Sequence, residues 1–124
     1  MMLTGSCLCG DVTFTVGAPP QGASVCHCGQ CRKQSGHTWA SACVARSELS
    51  ISGTVTWYAA SETAKRGFCP RCGSFLFWAA HDEDTMSFAL GALDQPTGLR
   101  LEKHIFVADK GDYYDIADGV PQKD

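Results

Sequence analysis

The sequence has no long hydrophobic run, no excess of positive charge and no low-complexity stretch. Its longest apolar segment, Phe75–Ala80, has six residues, whereas a membrane-spanning helix needs about 20. The first residues lack the basic and apolar regions of a secretory signal. Ten lysines and arginines stand against 13 acidic residues, a net charge of −3, which argues against binding to nucleic-acid phosphates. We therefore expect a cytoplasmic protein that binds neither membranes nor nucleic acid.

The composition is that of a globular domain with a core of its own. The chain has 124 residues, of which 44% are hydrophobic and 19% charged, and a chain of this length buries enough surface to fold without disulfides. No internal repeat or interdomain linker divides it. We therefore predict a single domain over residues 1–124.

Short segments of alternating apolar and polar residues predict an all-β fold. Asp11–Val16 and Thr54–Tyr58 alternate most clearly and are rich in β-branched or aromatic residues. Only Gly29–Ser35 is expected to form a turn of helix. Many short strands at even spacing are typical of a mostly antiparallel sandwich or open barrel. The other predicted strands are Trp39–Ala45, Ser74–Ala79, Thr85–Leu90 and Leu101–Val107, with a short one ending near Val25.

Cysteine is the unusual part of the composition, with eight residues. A chain with its own core in a reducing compartment does not need a disulfide framework. Cysteines separated by one residue are also too close for an unstrained bridge within the pair. Metal binding is the better interpretation, and disulfides between the groups remain the alternative. The cysteines are Cys7, Cys9, Cys26, Cys28, Cys31, Cys43, Cys69 and Cys72.

Two of the cysteine groups predict a closed structural metal site. The segment Cys69-Pro70-Arg71-Cys72-Gly73 has the spacing of a zinc knuckle, in which the proline and glycine allow the backbone to curl around sulfur. It supplies two thiolates, and a tetrahedral zinc ion takes four. Cys7 and Cys9 are the matching pair. A complete shell leaves no room for a substrate, so this site is expected to be structural.

The third group, Cys26-His27-Cys28-Gly29-Gln30-Cys31, predicts a different kind of site. It offers three thiolates within six residues, and three protein ligands with one open position are typical of catalytic zinc. The open position suits water or the thiolate of a substrate, because thiolate is among the ligands that zinc favours. The implied chemistry is the activation of a thiol.

Three alternatives to an open site are compatible with the sequence. His27 lies between two of the cysteines and can be the fourth ligand, although a supporting or exposed histidine is the simpler interpretation. Cys43, in the following strand, can close the site as a fourth thiolate or can be a packed free cysteine. Cys26, Cys28 and Cys31 can also be a redox-active group that forms transient disulfides.

Charged residues surround these groups without a distinctive pattern. Arg32 and Lys33 follow the third group, where a positive pair suits a substrate with carboxylates, and Lys65 with Arg66 form a second basic pair before the knuckle. For each of them a solvated surface position is the alternative. No dedicated general base is evident. The histidines closest to the site in sequence are His27 and His37, whereas His81 and His104 are expected to be structural.

The three groups together resemble one protein family in order and spacing. The resemblance lies in Gly5-Ser6-Cys7-Leu8-Cys9-Gly10, Cys26-His27-Cys28-Gly29-Gln30-Cys31-Arg32 and Phe68-Cys69-Pro70-Arg71-Cys72-Gly73, and it continues in Lys103-His104-Ile105-Phe106-Val107 and Tyr114-Asp115-Ile116. On these residues the chain is similar to the glutathione-dependent formaldehyde-activating enzymes, a family that includes centromere protein V. Cys43 lies outside the seven-cysteine pattern.

The resemblance implies a β-tent fold, small antiparallel sheets linked by zinc sites, with two zinc ions per chain. It implies a structural zinc on Cys7, Cys9, Cys69 and Cys72, and a catalytic zinc on Cys26, Cys28 and Cys31. The implied activity is that of a carbon–sulfur lyase, which condenses formaldehyde with glutathione to S-hydroxymethylglutathione or handles a related thiol and aldehyde. A non-enzymatic zinc scaffold with a closed second site, or a carrier of thiol adducts, is the alternative.

Overall fold

Two β-sheets make up most of the protein, and a computed structural model describes residues 2–124. One seven-residue helix, α1, spans Gly29–Ser35. Short 3-10 turns cover Arg46–Glu48, Leu90–Ala92 and Val107–Asp109. The strands in chain order are β1 Leu3–Ser6, β2 Thr13–Val16, β3 Gln21–Cys26, β4 Trp39–Ala45, β5 Leu49–Ser52, β6 Thr56–Tyr58, β7 Ala64–Phe68, β8 Phe75–Ala80, β9 Thr85–Ala89 and β10 Lys103–Ile105.

The smaller sheet has three strands in the order β1-β2-β5, and the larger has seven in the order β10-β3-β4-β9-β8-β7-β6. All pairings are antiparallel except that of β10 with β3, which is parallel. In the larger sheet Cys26, the last residue of β3, lies opposite Trp39, the first residue of β4. This register places the end of β3, and the start of α1 that follows it, beside the start of β4.

The main core lies between the two sheets. Phe14 of β2 contacts Phe77 of β8 edge-on, with ring centroids 5.3 Å apart, and Phe88 of β9 at 5.9 Å. All three rings are buried. Alternation explains their placement, because Phe14 and Val16 point inward while Thr13 points outward. Burying large aromatic rings of both sheets against one another is the main stabilising contact between them.

The all-β prediction is confirmed, and the predicted helix and the strand Trp39–Ala45 have the predicted bounds. The last strand is shorter than predicted, because Phe106 adopts a left-handed conformation with φ of 53° and ends the pairing after Ile105. The sequence did not indicate β1, β5 or β7, of which β7 has both faces covered and therefore no alternation. Within residues 2–124 no helix is long and apolar enough to span a bilayer.

Candidate metal centres

The four-cysteine cluster consists of Cys7, Cys9, Cys69 and Cys72, whose sulfur atoms all lie within 4.8 Å of one another. The sulfur of Cys9 is 3.6 Å from that of Cys7 and 3.7 Å from that of Cys69. Tetrahedral zinc with Zn–S bonds of about 2.3 Å places its sulfur ligands about 3.8 Å apart. The spacing of the sulfurs therefore fits a closed zinc site.

Two turns from different sheets form the four-cysteine cluster. Cys7 and Cys9 lie between β1 and β2, and Cys69 and Cys72 lie between β7 and β8. Backbone amides turn toward the sulfurs: Val12 N donates to Cys7 Sγ at 3.3 Å, and Cys72 N donates to Cys69 Sγ at 3.5 Å. A metal ion at this position would connect the smaller sheet to the larger one.

Ser74, the residue just before β8, supports the same cluster. Its hydroxyl is 3.2 Å from Cys72 Sγ and accepts a hydrogen bond from Leu8 N at 3.0 Å, so it joins the two turns. Its hydrogen bond with the sulfur lowers the pKa of Cys72 to about 5. A sulfur that is deprotonated at neutral pH is the form that binds zinc.

The three-cysteine cluster consists of Cys26, Cys28 and Cys31, and their sulfur atoms also lie within 4.8 Å of one another. Cys26 ends β3, and Cys28 is the N-cap of α1, where its sulfur accepts a hydrogen bond from Cys31 N at 3.4 Å. Cys26 and Cys31 are buried. Three thiolates converging on one point, with no fourth sulfur among them, fit a zinc ion that has one free position.

Arg66 of β7 lies against this cluster. It is 5% exposed, and its Nη1 donates to Cys31 Sγ at 3.5 Å and to Gln34 Oε1 at 3.2 Å. Hydrogen bonding by Cys26, together with the guanidinium of Arg66, lowers the pKa of Cys31 to about 6. The sequence indicated Arg66 only as half of a basic pair. Its neighbour Lys65 instead lies over the ring of Trp57, at 4.3 Å from the centroid.

The three-cysteine cluster borders a cavity of about 580 Å³. Ligand pockets in proteins generally measure about 300–1,000 Å³. Trp39 and Trp78 supply apolar wall, and Ser24, Ser41 and Gln30 supply polar groups. The charged residues that line it are Arg66 and Asp109. The cavity is therefore large enough and mixed enough in character to bind a small polar molecule beside the sulfurs.

Cys43 lines the same cavity but is not part of the cluster. Cys26 lies opposite Trp39, whereas Cys43 is four residues farther along β4, opposite Gln21 and Ser87. Four residues of strand span about 13 Å. The strand register therefore separates Cys43 from the three sulfurs.

His27 points away from the cluster. Its ring is buried, with Nδ1 hydrogen-bonded to the Tyr114 hydroxyl and Nε2 2.9 Å from His104 Nδ1. His104 Nε2 is in turn 2.9 Å from the Asp118 carboxylate. Both ring nitrogens of His27 are thus engaged, and neither is directed at the metal position. His37, the other candidate base, lies at the surface and is bonded to Tyr113 at 2.8 Å.

The comparisons with known proteins agree with this arrangement. A family model described as glutathione-dependent formaldehyde-activating enzyme matches residues 2–109. A curated protein of Schizosaccharomyces pombe (strain 972 / ATCC 24843), named an uncharacterized lyase, is 30% identical over 115 residues, which are 91% of this chain and 84% of that protein. A crystal structure of a Rhodobacter sphaeroides protein superposes with a TM-score of 0.58 at 25% identity, over 78% of this chain and 90% of that one.

Proposed function

The chain belongs to the glutathione-dependent formaldehyde-activating enzyme family, and we propose that it is a carbon–sulfur lyase acting on glutathione, or another small thiol, and an aldehyde such as formaldehyde. One observation carries the proposal above all others. The sulfurs of Cys26, Cys28 and Cys31 converge at the edge of a cavity of about 580 Å³. The lyase name of the yeast relative is consistent with this reaction class.

The proposal assigns two zinc ions to the chain with different roles. Cys7, Cys9, Cys69 and Cys72 would hold a structural ion, because four sulfurs complete its shell. Cys26, Cys28 and Cys31 would hold the catalytic one. When bound there, zinc supplies a Lewis acid with a free position that favours a substrate sulfur in its thiolate form. Side chains of the protein would bind and orient the two substrates around it.

The reaction forms one bond between the thiol sulfur and the aldehyde carbon, and the thiol proton passes to the aldehyde oxygen. In the opposite direction that carbon–sulfur bond breaks, and the proton returns to the thiol. Hemithioacetals form readily without a catalyst, so the main task of the protein is to position both reactants. Trp39 and Trp78 provide a wall that excludes water, and Ser24, Ser41 and Gln30 provide hydrogen-bonding groups.

Zinc-edge X-ray absorption of the purified protein tests the proposal. We expect two zinc ions per chain and an average of between three and four sulfur ligands per zinc. Saturating glutathione should raise that average to four. An average that stays unchanged at saturation would contradict thiol binding at the three-cysteine cluster.

A rate measurement separates an enzyme from a carrier of the same adduct. NMR exchange spectroscopy follows the formation of S-hydroxymethylglutathione from formaldehyde and glutathione. A lyase accelerates this exchange at substoichiometric protein concentrations, and the variant Cys28→Ser, with one cluster sulfur removed, does not. If glutathione sulfur binds to the zinc but the exchange rate equals that of buffer, the protein is a carrier.

A further inference from the structure

Arg66 is a buried cation that lies against the three-cysteine cluster. It is 5% exposed, and within residues 2–124 no carboxylate lies within 4.0 Å of its nitrogens. Its hydrogen bonds go to Cys31 Sγ and to the neutral amide oxygen of Gln34, and its buried Nε has no partner. A buried guanidinium without a countercharge is unstable. The three-cysteine cluster, with its sulfurs as thiolates, would supply the compensating negative charge.

Arg32 follows Cys31 directly and is half-buried, with a buried Nε that has no hydrogen-bond partner among the described residues. Two other cations near cysteines in sequence are engaged elsewhere. Lys65 lies over Trp57, and the exposed Arg71 pairs with Asp11 at 3.2 Å beside the four-cysteine cluster. Arg66 packs over the ring of Phe75 at 5.4 Å and lines the cavity. Because it both contacts Cys31 and lines the cavity, it is placed to contact a molecule that binds next to Cys31.

The guanidinium of Arg66 changes the net charge of the zinc-loaded three-cysteine cluster. Three thiolates and one divalent zinc sum to −1, and Arg66 brings the assembly to zero. A thiolate entering the free position then leaves −1, whereas without Arg66 it would leave −2 in a largely buried site. A neutral ligand changes neither total. Coulomb interactions at the separations seen here are strong when water is partly excluded, so the cation favours an anionic ligand over a neutral one.

We propose that Arg66 determines the ligand specificity of the three-cysteine cluster, giving it a preference for an anionic sulfur over a neutral donor. The inference rests on the proposed function, since it concerns the ligand at the same free position. It assigns Arg66 a role in specificity, and not in the chemistry of the carbon–sulfur bond.

The most specific test keeps Arg66 and neutralises its charge with a new carboxylate on a neighbouring surface residue. Gln34 is exposed and its Oε1 accepts from Arg66 Nη1, so Gln34→Glu puts a carboxylate against the guanidinium with almost no change of shape. Calorimetric titration of the zinc-loaded protein with 2-mercaptoethanol and with imidazole gives the ratio of the two affinities. We expect Gln34→Glu to lower the preference for the thiol about tenfold. The matched control Gln95→Glu adds the same charge at another exposed position and should leave the ratio unchanged.

Substitution of the arginine itself gives the second test. Arg66→Met should lower the thiol preference by at least about tenfold, and Arg66→Lys should largely preserve it. Arg71→Met, beside the other cluster, serves as the control. Retention of the zinc ion of the four-cysteine cluster reports that each variant is folded.

The outcomes separate this inference from the proposed function. If the wild-type protein binds a fourth sulfur by X-ray absorption but Gln34→Glu and Arg66→Met keep the wild-type ratio, the role of Arg66 is overturned and the proposed function stands. If the wild-type protein binds no added sulfur at all, the proposed function fails first. A lowered ratio in Gln34→Glu with an unchanged ratio in Gln95→Glu supports the inference even if Arg66→Met does not fold.

Discussion

The two cysteine clusters are built from the same local turn and placed in different surroundings. Cys28 and Cys31 share their spacing with Cys69 and Cys72, and in both turns the second amide donates to the first sulfur, at 3.4 and 3.5 Å. One cluster then gains two more sulfurs from a distant turn, whereas the other gains only Cys26, two residues before Cys28. The same turn therefore brings two sulfurs together, and its surroundings decide whether two more sulfurs or only one join them.

The difference in sequence separation has a consequence for stability. The four-cysteine cluster joins residues about 60 positions apart and connects the small sheet to the large one. The three-cysteine cluster lies within six residues at the end of β3. Crosslinks that close long loops restrict the unfolded chain more than local ones do. We therefore expect the first cluster to stabilise the fold and the second to serve the chemistry.

The largest expected effect comes from breaking the cluster between the sheets. Cys69→Ser removes a fully buried sulfur of the four-cysteine cluster, and the proposed structural zinc would contribute its binding free energy, on the order of 10–16 kcal/mol, to folding. That is as large as the stability of a typical domain, about 5–15 kcal/mol. We expect loss of cooperative thermal unfolding and of native near-UV circular dichroism. A variant that still unfolds cooperatively at the wild-type Tm would show that this cluster does not hold the sheets together.

Breaking the local cluster should have a smaller effect on stability and a complete effect on activity. Cys28→Ser removes one of three sulfurs at a half-buried position, and we expect one zinc ion per chain to remain by elemental analysis. The Tm should fall on the order of 10 °C or less, because no long loop is opened. Formation of the thiol–aldehyde adduct should return to the uncatalysed rate. A loss of both zinc ions would mean that the two clusters are not independent.

An intermediate loss of stability and activity is expected from breaking the hydrogen bond between His27 and His104, next to the three-cysteine cluster. His104→Leu leaves the buried Nε2 of His27 without a partner, and such a group destabilises a protein by about 1–3 kcal/mol. The segment that carries Cys26 and Cys28 should shift with His27, so adduct formation should slow while the four-cysteine cluster keeps its zinc. Chemical denaturation and the NMR exchange rate measure the two effects.

The exposed His81 provides the matched control. His81→Leu should change the free energy of unfolding by no more than about 0.5 kcal/mol and leave adduct formation unchanged. Equal losses in the two histidine variants would show that His104 has no special role behind the cluster.

The features that could be predicted from the sequence are those that depend on the spacing of nearby residues. The spacing predicted one turn with Cys28 and Cys31 and another with Cys69 and Cys72, and alternation predicted the strand that carries Phe14. The helix at Gly29–Ser35 was predicted with its observed bounds. These features depend on neighbours within a few residues, so they are visible in a single stretch of chain.

The parts that sequence reasoning missed depend on contacts between distant segments. The pairing of β10 with β3 brings His104 beside His27, and Tyr114 and Asp118 reach these histidines from the segment that follows β10. Arg66 reaches Cys31 across 35 residues of chain. A basic residue three positions before a knuckle carries no signal of burial. A single sequence without the sheet order could not have indicated these partners.

The smallest effect on zinc content and activity is expected from substitution of Cys43, which tests directly whether the two clusters differ in their number of sulfur ligands. If Cys43 were a fourth ligand, both clusters would be closed and the difference between them would disappear. Its strand register places it away from Cys26, and its sulfur is not among the three that converge. Cys43→Ser should therefore keep two zinc ions per chain, the same sulfur coordination by X-ray absorption and near-wild-type adduct formation. Loss of one zinc ion in this variant would instead make Cys43 a ligand and remove the free position on which the proposed reaction depends.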